Sequence, residues 1–171
     1  SDVAFLAIGA MSYAAYIPGA NEVRLIKAAK SEKNIWDGIP FTAANVADKE
    51  TGKNYFKKDF ITYTAENSGL RVAVVGVLGP HMFAMGDLDR LGLVVKDAKE
   101  TIRDMLPRLQ ESADFIIVAA NMKSGQAKSI CELAGVDMVI STFVEKMPQN
   151  PDNDSNRVEA VYEQVGDCLF V

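Results

Sequence analysis

A single histidine, His81, lies in Gly79-Pro80-His81-Met82, with Asp87 and Asp89 a short way along the chain. An imidazole oriented by a carboxylate is the minimum equipment of a general base. No serine or cysteine sits at a Gly-x-Ser-x-Gly elbow to act as its nucleophile. The plain account of a lone loop histidine is a surface side chain. A second constellation is Asp152-x-Asp154-x-Asn156 followed by Glu163, which reproduces positions one, three, five and twelve of an EF-hand calcium loop. Position six of such a loop must be glycine for its sharp turn, and here it is the cation Arg157. A solvated Asn/Asp-rich turn accounts for it better. Gly76-x-x-Gly79 and Gly86 form neither a dinucleotide fingerprint nor a Walker-type phosphate cradle. Cys131 and Cys168 match no metal, redox or haem-attachment spacing. They are expected to be two small buried hydrophobes and not a disulfide. Met82, Met85, Met105 and Met122 are expected to fill gaps in the core.

The elements that would position such residues alternate between short Val/Ile-rich runs and helical patterns, the signature of an α/β layered domain. Strands are predicted over Val3–Ile8, Pro40–Val46, Phe60–Ala65, Leu70–Leu78, Phe115–Ala120, Met138–Ile140, Val158–Tyr162 and Cys168–Val171. Helices are predicted near Asn21–Ser31, from the N-cap Asp97 to about Ser112, and over Ser124–Leu133. Pro107 is expected to kink or restart the second of these. Asp48–Lys58 reads as a hairpin connection, Gly79–Gly92 as a long loop, and Met147–Asn156 as a surface loop.

The segments "PFTAANV", "RVAVVGVLGP", "ADFIIVAAN" and "GVDMVIS", in that order after a first strand and helix, resemble the 5′-nucleotidase branch of the metallophosphoesterases. That family has a strand leading to Gly-Asn-His-Glu, a helix, a segment like "PFLSANV" and a strand like "KVGVIGLTTP". A strand ending in Ser-His-x-Gly and then "GVDVIIGGHTH" follow. The match runs from about Val3 to Glu145. It implies a partial four-layer α-β-β-α sandwich made of one domain over residues 1–171. The chain opens directly on Val3–Ile8, with no lead-in or signal segment. A preceding part of the domain, with the Asp-x-His and Gly-Asp motifs, is therefore expected to lie outside the sequence.

The family's chemistry uses two metal ions that activate a water and clamp the phosphoryl oxygens. Aligned on the motifs, Gly-Asn-His-Glu falls on Gly9, Ala10, Met11 and Ser12. The histidine of Ser-His-x-Gly falls on Asn121, within a register step of Met122, and the Gly-His-Thr-His stretch on Thr142, Phe143, Val144 and Glu145. Ala, Met and Phe offer no atom that a hard divalent cation accepts. Only Asn121 and Glu145 could still present an oxygen. The resemblance therefore implies a vestigial site without metal and without catalytic residues.

Composition narrows the remaining classes. Across 171 residues, 49% are apolar and 24% charged, with a formal charge of −5. These values predict one soluble domain able to bury roughly 70% of its unfolded surface. No cluster of Lys and Arg exists to displace counterions from nucleic acid; Lys57-Lys58 is the densest basic spot and Asp59 follows at once. The longest apolar runs, Val72–Leu78 and Phe115–Ala120, fall far short of the ~20 residues of a spanning helix. Neither nucleic-acid binding nor membrane insertion is expected, and no cofactor is implied. The expected function is that of a non-catalytic scaffold or interaction module of a larger exported protein, with a protein partner or a homo-oligomer. A metal-dependent 5′-nucleotidase-type phosphohydrolase is the alternative. A structural partner of a multihaem cytochrome assembly is a third, since the family's domain also occurs beside such segments.

Overall fold

The computed structural model describes residues 13–28, 38–142 and 162–171. The expected strand over Val3–Ile8, the expected loop Met147–Asn156 with Asp152, Asp154 and Asn156, and all but the last residue of the expected strand Val158–Tyr162 lie outside the described residues. Within them the chain builds a six-stranded sheet in the order β2-β3-β5-β6-β8-β7 and a two-stranded sheet, β1-β4. These are β1 (Val46–Asp48), β2 (Ile61–Thr64), β3 (Arg71–Leu78), β4 (Leu93–Val95), β5 (Phe115–Asn121), β6 (Met138–Ser141), β7 (Glu163–Val165) and β8 (Cys168–Phe170). The helices are α1 (Ala20–Ala28), α2 (Asp87–Leu91), α3 (Ala98–Ser112) and α4 (Ser124–Lys128). Strands β3, β5, β6 and β8 run parallel, and the edge strands β2 and β7 run antiparallel to their neighbours.

The apolar runs are continuous because β3 and β5 lie inside the sheet, one face covered along its length and the other covered towards Gly76, Leu78 and Ala119. Val75, Val118 and Val139 are paired neighbours on one face and fully buried. Against them α3 lays Ile102, Met105 and Leu109, one turn apart on a helix side. Burying side chains of this size contributes about 1.5–3 kcal/mol each. Asp97 caps α3, its side chain accepting from the Glu100 N–H at 2.8 Å.

On the opposite face the chain passes so close that Gly76 is required. A Cβ there would stand 2.1 Å from the Thr42 carbonyl oxygen and 2.9 Å from Ile17. The Ala44 N–H donates to the Gly76 carbonyl at 2.8 Å. A second core of Ala20, Val23, Phe41, Val46, Leu78 and Leu93 joins this segment, β1–β4 and α1 to the end of β3. The layers therefore run helix, sheet, sheet, helix.

Five expectations need correction. Cys131 and Cys168 form a disulfide, with their Cα atoms 5.3 Å apart; no spacing rule announces a pair that two separate elements bring together. Of the kink or restart expected at Pro107, the restart does not occur, because α3 runs on through it to Ser112. Proline leaves the Arg103 carbonyl without its helical donor, but both residues are exposed, so water can serve instead. The stretch 79–92 is not loop throughout: a 3-10 turn at Pro80–Met82 and α2 punctuate it. Among the methionines, Met105 and Met122 are core, whereas Met85 is 99% exposed in the connection ahead of α2. Pro40–Val46 pairs only through isolated bridges at Phe41 and Thr42. The short strands β4 and β7 have too few residues to show a period.

Candidate functional site

Parallel strands end together, and the crevice beyond their C-terminal ends is where open α/β sheets bind ligands. Here β3 ends at Leu78, β5 at Asn121 and β6 at Ser141. Leu78 and Asn121 are register partners, as are Ala120 and Ser141. The Gly79 N–H donates to the Asn121 carbonyl at 2.9 Å, and the Thr142 N–H to that of Ala120 at 3.1 Å. Alternation sorts Asn121 from Met122. Met122 is buried in the core beneath the helices. Asn121 is half-buried, with its amide nitrogen 3.9 Å from the place a Cβ on Gly19 would take.

Gly19 precedes α1, and Glu22 folds back to it so that its Oε2 would stand 2.8 Å from the same Cβ. The entrance of α1 thus carries a carboxylate and an amide side by side. Tyr16 adjoins them, stacked edge-on against Phe41 and Tyr13. Burial, then the charge of Glu22, then Tyr13, raises the Tyr16 pKa and keeps its phenol protonated. Sequence reasoning missed Glu22 and Tyr16, because nothing in their spacing marks them as neighbours of Asn121. It also missed Ser141, whose buried hydroxyl oxygen has no hydrogen-bond partner among the described residues. Of the other positions matched to the family's ligands, Gly9, Ala10, Met11, Ser12, Phe143 and Glu145 lie outside the described residues.

His81 is exposed, as expected, with its ring against the backbone of Gly79. Partial desolvation, then the positive charge of Lys123, lowers its pKa. Asp87 has different work. Arg24 of α1 donates to it through both Nε and Nη2, Arg90 donates at 2.7 Å, and the Ala84 N–H at 3.2 Å. Asp89 pairs with Lys49 at 2.7 Å. Both carboxylates are therefore committed to cations, and Asp87 ties α1 to α2.

The Arg24 hydrogen bonds hold the Asp87 pKa below the usual carboxylate range. A lowered folded pKa means that the ion pair's stabilisation is present above the unfolded value and is lost as pH falls through the folded one. Asp87→Asn is expected to flatten the acid limb of the stability curve, with little further change at neutral pH beyond the lost pair. Thermal melting from neutral pH down to about 2 checks this; parallel curves for the two proteins would refute it.

A groove of about 430 Å³ lies nearby, between Leu78–Pro80, the Val95–Glu100 entry to α3, and Met122. Its charged groups are already engaged. Lys96 donates to the Gly52 carbonyl, Lys99 pairs with Glu132, and Asp97 caps the helix. It offers no cradle for a phosphate.

The described residues do not fit the two-metal centre that this fold family implies. Among them no three His, Cys, Asp or Glu side chains come together as metal ligands. Asn121 and Glu22 alone supply two oxygens, against the several ligands a hard cation requires.

The fold is the one found in solved structures of the 5′-nucleotidase-like metallophosphoesterase type. No family model matches the chain. A 5′-nucleotidase of Vibrio cholerae is 29% identical over 90 residues, which is 51% of this chain and 16% of that protein. The chain superposes over 99% of its length on 32% of the NAD nucleotidase of Haemophilus influenzae, with a TM-score of 0.68 and 15% identity. It also superposes on 29% of a Thermus thermophilus sulfate thiohydrolase, again over 99% of itself, with a TM-score of 0.62 and 14% identity. A 5′-nucleotidase precursor from Thermus thermophilus matches 75% of the chain, which covers 25% of it, with a TM-score of 0.54 and 17% identity. The chain thus spans a third or less of the proteins it resembles. No helix among the described residues is long and apolar enough to cross a membrane.

Proposed function

We propose that this chain is the later part of a degenerate metallophosphoesterase-like domain, one unit over residues 1–171, which serves a larger protein as a non-catalytic scaffold or interaction module. The observation that carries this reading is the set of residue types at the matched ligand positions: Ala10, Met11, Asn121, Phe143 and Glu145. At Ala10, Met11 and Phe143 a polar ligand has become apolar, as when a former site is filled as core. The commitment of Asp87 and Asp89 to cations supports it, since neither is left to orient a base. The Cys131–Cys168 disulfide supports an exported, periplasm-type location, because such bonds persist in oxidising compartments.

The relatives, two 5′-nucleotidases, a NAD nucleotidase and a sulfate thiohydrolase, favour a second reading as a metal-dependent phosphohydrolase. Elemental analysis of the purified chain, with a screen of nucleotides and generic phosphate esters, separates the two. The expected result is less than stoichiometric Zn, Mn or Fe and no turnover. One metal or more per chain together with hydrolysis would replace the first reading by the second.

A further inference from the structure

Among the described residues no strand pairs with the outer side of β2, which ends the six-stranded sheet. Natural sheets blunt an edge with lysine, proline, a bulge or an inward charge, because its unpaired N–H and C=O groups would otherwise recruit another strand. Apart from its shortness, four residues, Ile61-Thr62-Tyr63-Thr64 carries none of these, and Thr62, Tyr63 and Thr64 are all exposed. The opposite edge, β7, is charged, its Glu163 bound to Lys128 at 2.6 Å.

The hairpin fixes which groups point outward. The Ala65 N–H donates to the Leu70 carbonyl at 2.9 Å. Hydrogen-bonded pairs alternate along an antiparallel ladder. The pairs Tyr63–Val72 and Ile61–Val74 therefore face inward, while the backbone groups of Thr62 and Thr64 face away from β3.

The sheet face at this edge is apolar. Val72, Val74, Phe115, Ile117 and Met138 share the side away from α3 and are only half-buried. Tyr63, 48% exposed, extends the same face to the edge.

We propose that β2 pairs antiparallel with β2 of a second copy across a two-fold axis, joining the six described strands of each copy into one continuous sheet. This deepens the reading of the chain as an interaction module by naming the surface and the partner. A two-fold interface must be self-complementary, and this strand is. It is uncharged, and antiparallel pairing brings Lys58, ahead of the strand in one copy, to the end where Glu66 follows it in the other.

Sedimentation equilibrium of the 171-residue chain tests the pairing, with Thr62→Pro as the probe. Proline there removes an outward N–H and leaves the β2–β3 ladder intact, the one strand position proline tolerates. The expected result is a dimer of twice the 18.6 kDa chain for the unaltered protein and, for the variant, a monomer that still melts cooperatively, at a temperature that no longer rises with concentration. Should Thr62→Pro fail to fold, Thr64→Lys sets like charges against each other across the axis and should also dissociate the dimer. A monomeric unaltered chain at the highest concentration reached, or a dimer that survives folded Thr62→Pro or Thr64→Lys, overturns the proposal. Neither outcome bears on metal content or turnover, so the failure of this pairing and the failure of the non-catalytic reading are told apart.

Discussion

Reduction of the Cys131–Cys168 disulfide, or replacement of either cysteine by serine, is expected to lower the stability of the fold by about 3–4 kcal/mol. The bond closes a loop with a sequence separation of 37. The chain-entropy relation puts the cost of leaving a loop of that length open near ~4 kcal/mol. Its position explains why the effect should concentrate at one end of the sheet. Strand β8 meets β6 through only two register pairs, Met138–Leu169 and Val139–Phe170. The C-terminal hairpin β7–β8 otherwise holds to the body through a few main-chain bonds, the exposed Lys128–Glu163 pair and the buried Cys168 itself. An exposed ion pair contributes at most about 1 kcal/mol. The disulfide, joining β8 to the 3-10 turn at Ser129–Glu132, is the stronger tether. Urea unfolding of oxidised and reduced protein measures the loss. Hydrogen exchange should locate it, with the amides of Leu169 and Val171 losing protection before those of β3 and β5. Coincident unfolding curves for the two forms would show that the hairpin stands without the bond.

Asn45→Ala is expected to destabilise the protein by about 3–5 kcal/mol. Asn45 is fully buried and polar, a combination that is costly unless every group is paired. Here the pairing is complete. Its Oδ1 accepts from the Leu78 N–H at 2.9 Å, and its Nδ2 donates to the carbonyls of Leu78 and Lys96 at 2.8 and 2.9 Å. One side chain thus stands in for a strand residue beside β3 and reaches on to the chain leaving β4. Alanine would leave the buried N–H and carbonyl of Leu78 and the part-buried carbonyl of Lys96 without their partner, and each buried orphan costs about 1–3 kcal/mol. Asn45→Asp should fare no better, because a carboxylate keeps the Leu78 N–H but cannot donate to either carbonyl. Thermal and urea melts of the two variants check this. A loss below about 1 kcal/mol for alanine would mean that water enters and re-pairs the groups.

The role of Asn45 also shows how far sequence reading reaches. The segment Pro40–Val46 is marked by its residues as belonging beside a sheet, and it does lie there. Only the packed structure reveals that it serves partly through side chains, with Thr42 and Asn45 bonding to β3 where a regular strand would use its backbone. Likewise β3, β5 and β6 are plain in the sequence, because a strand covered on both faces must be a continuous apolar run. The pattern carries no sign of β4 and β7, three residues each, since two or three positions cannot display a period of two.

The candidate site divides in the same way. Asn121 can be found from sequence because it ends an apolar strand, and the end of a parallel strand is where an α/β sheet presents its chemistry. Its neighbours Glu22 and Tyr16 come from a helix entrance roughly a hundred residues away along the chain. The pairing of Asp87 with Arg24, across a separation of 63, is equally invisible. So is the bond between Cys131 and Cys168. What the amino-acid sequence determined by itself was the layering: apolar runs of strand length, amphipathic helices between them, and a cap at Asp97, all set by interactions within a few residues. What the tertiary structure alone decided was which distant polar groups meet, whether Asp87 is a base or a strut, and which edge of the sheet is left unpaired. Those outcomes depend on how layers stack and in what register, and no local periodicity records that.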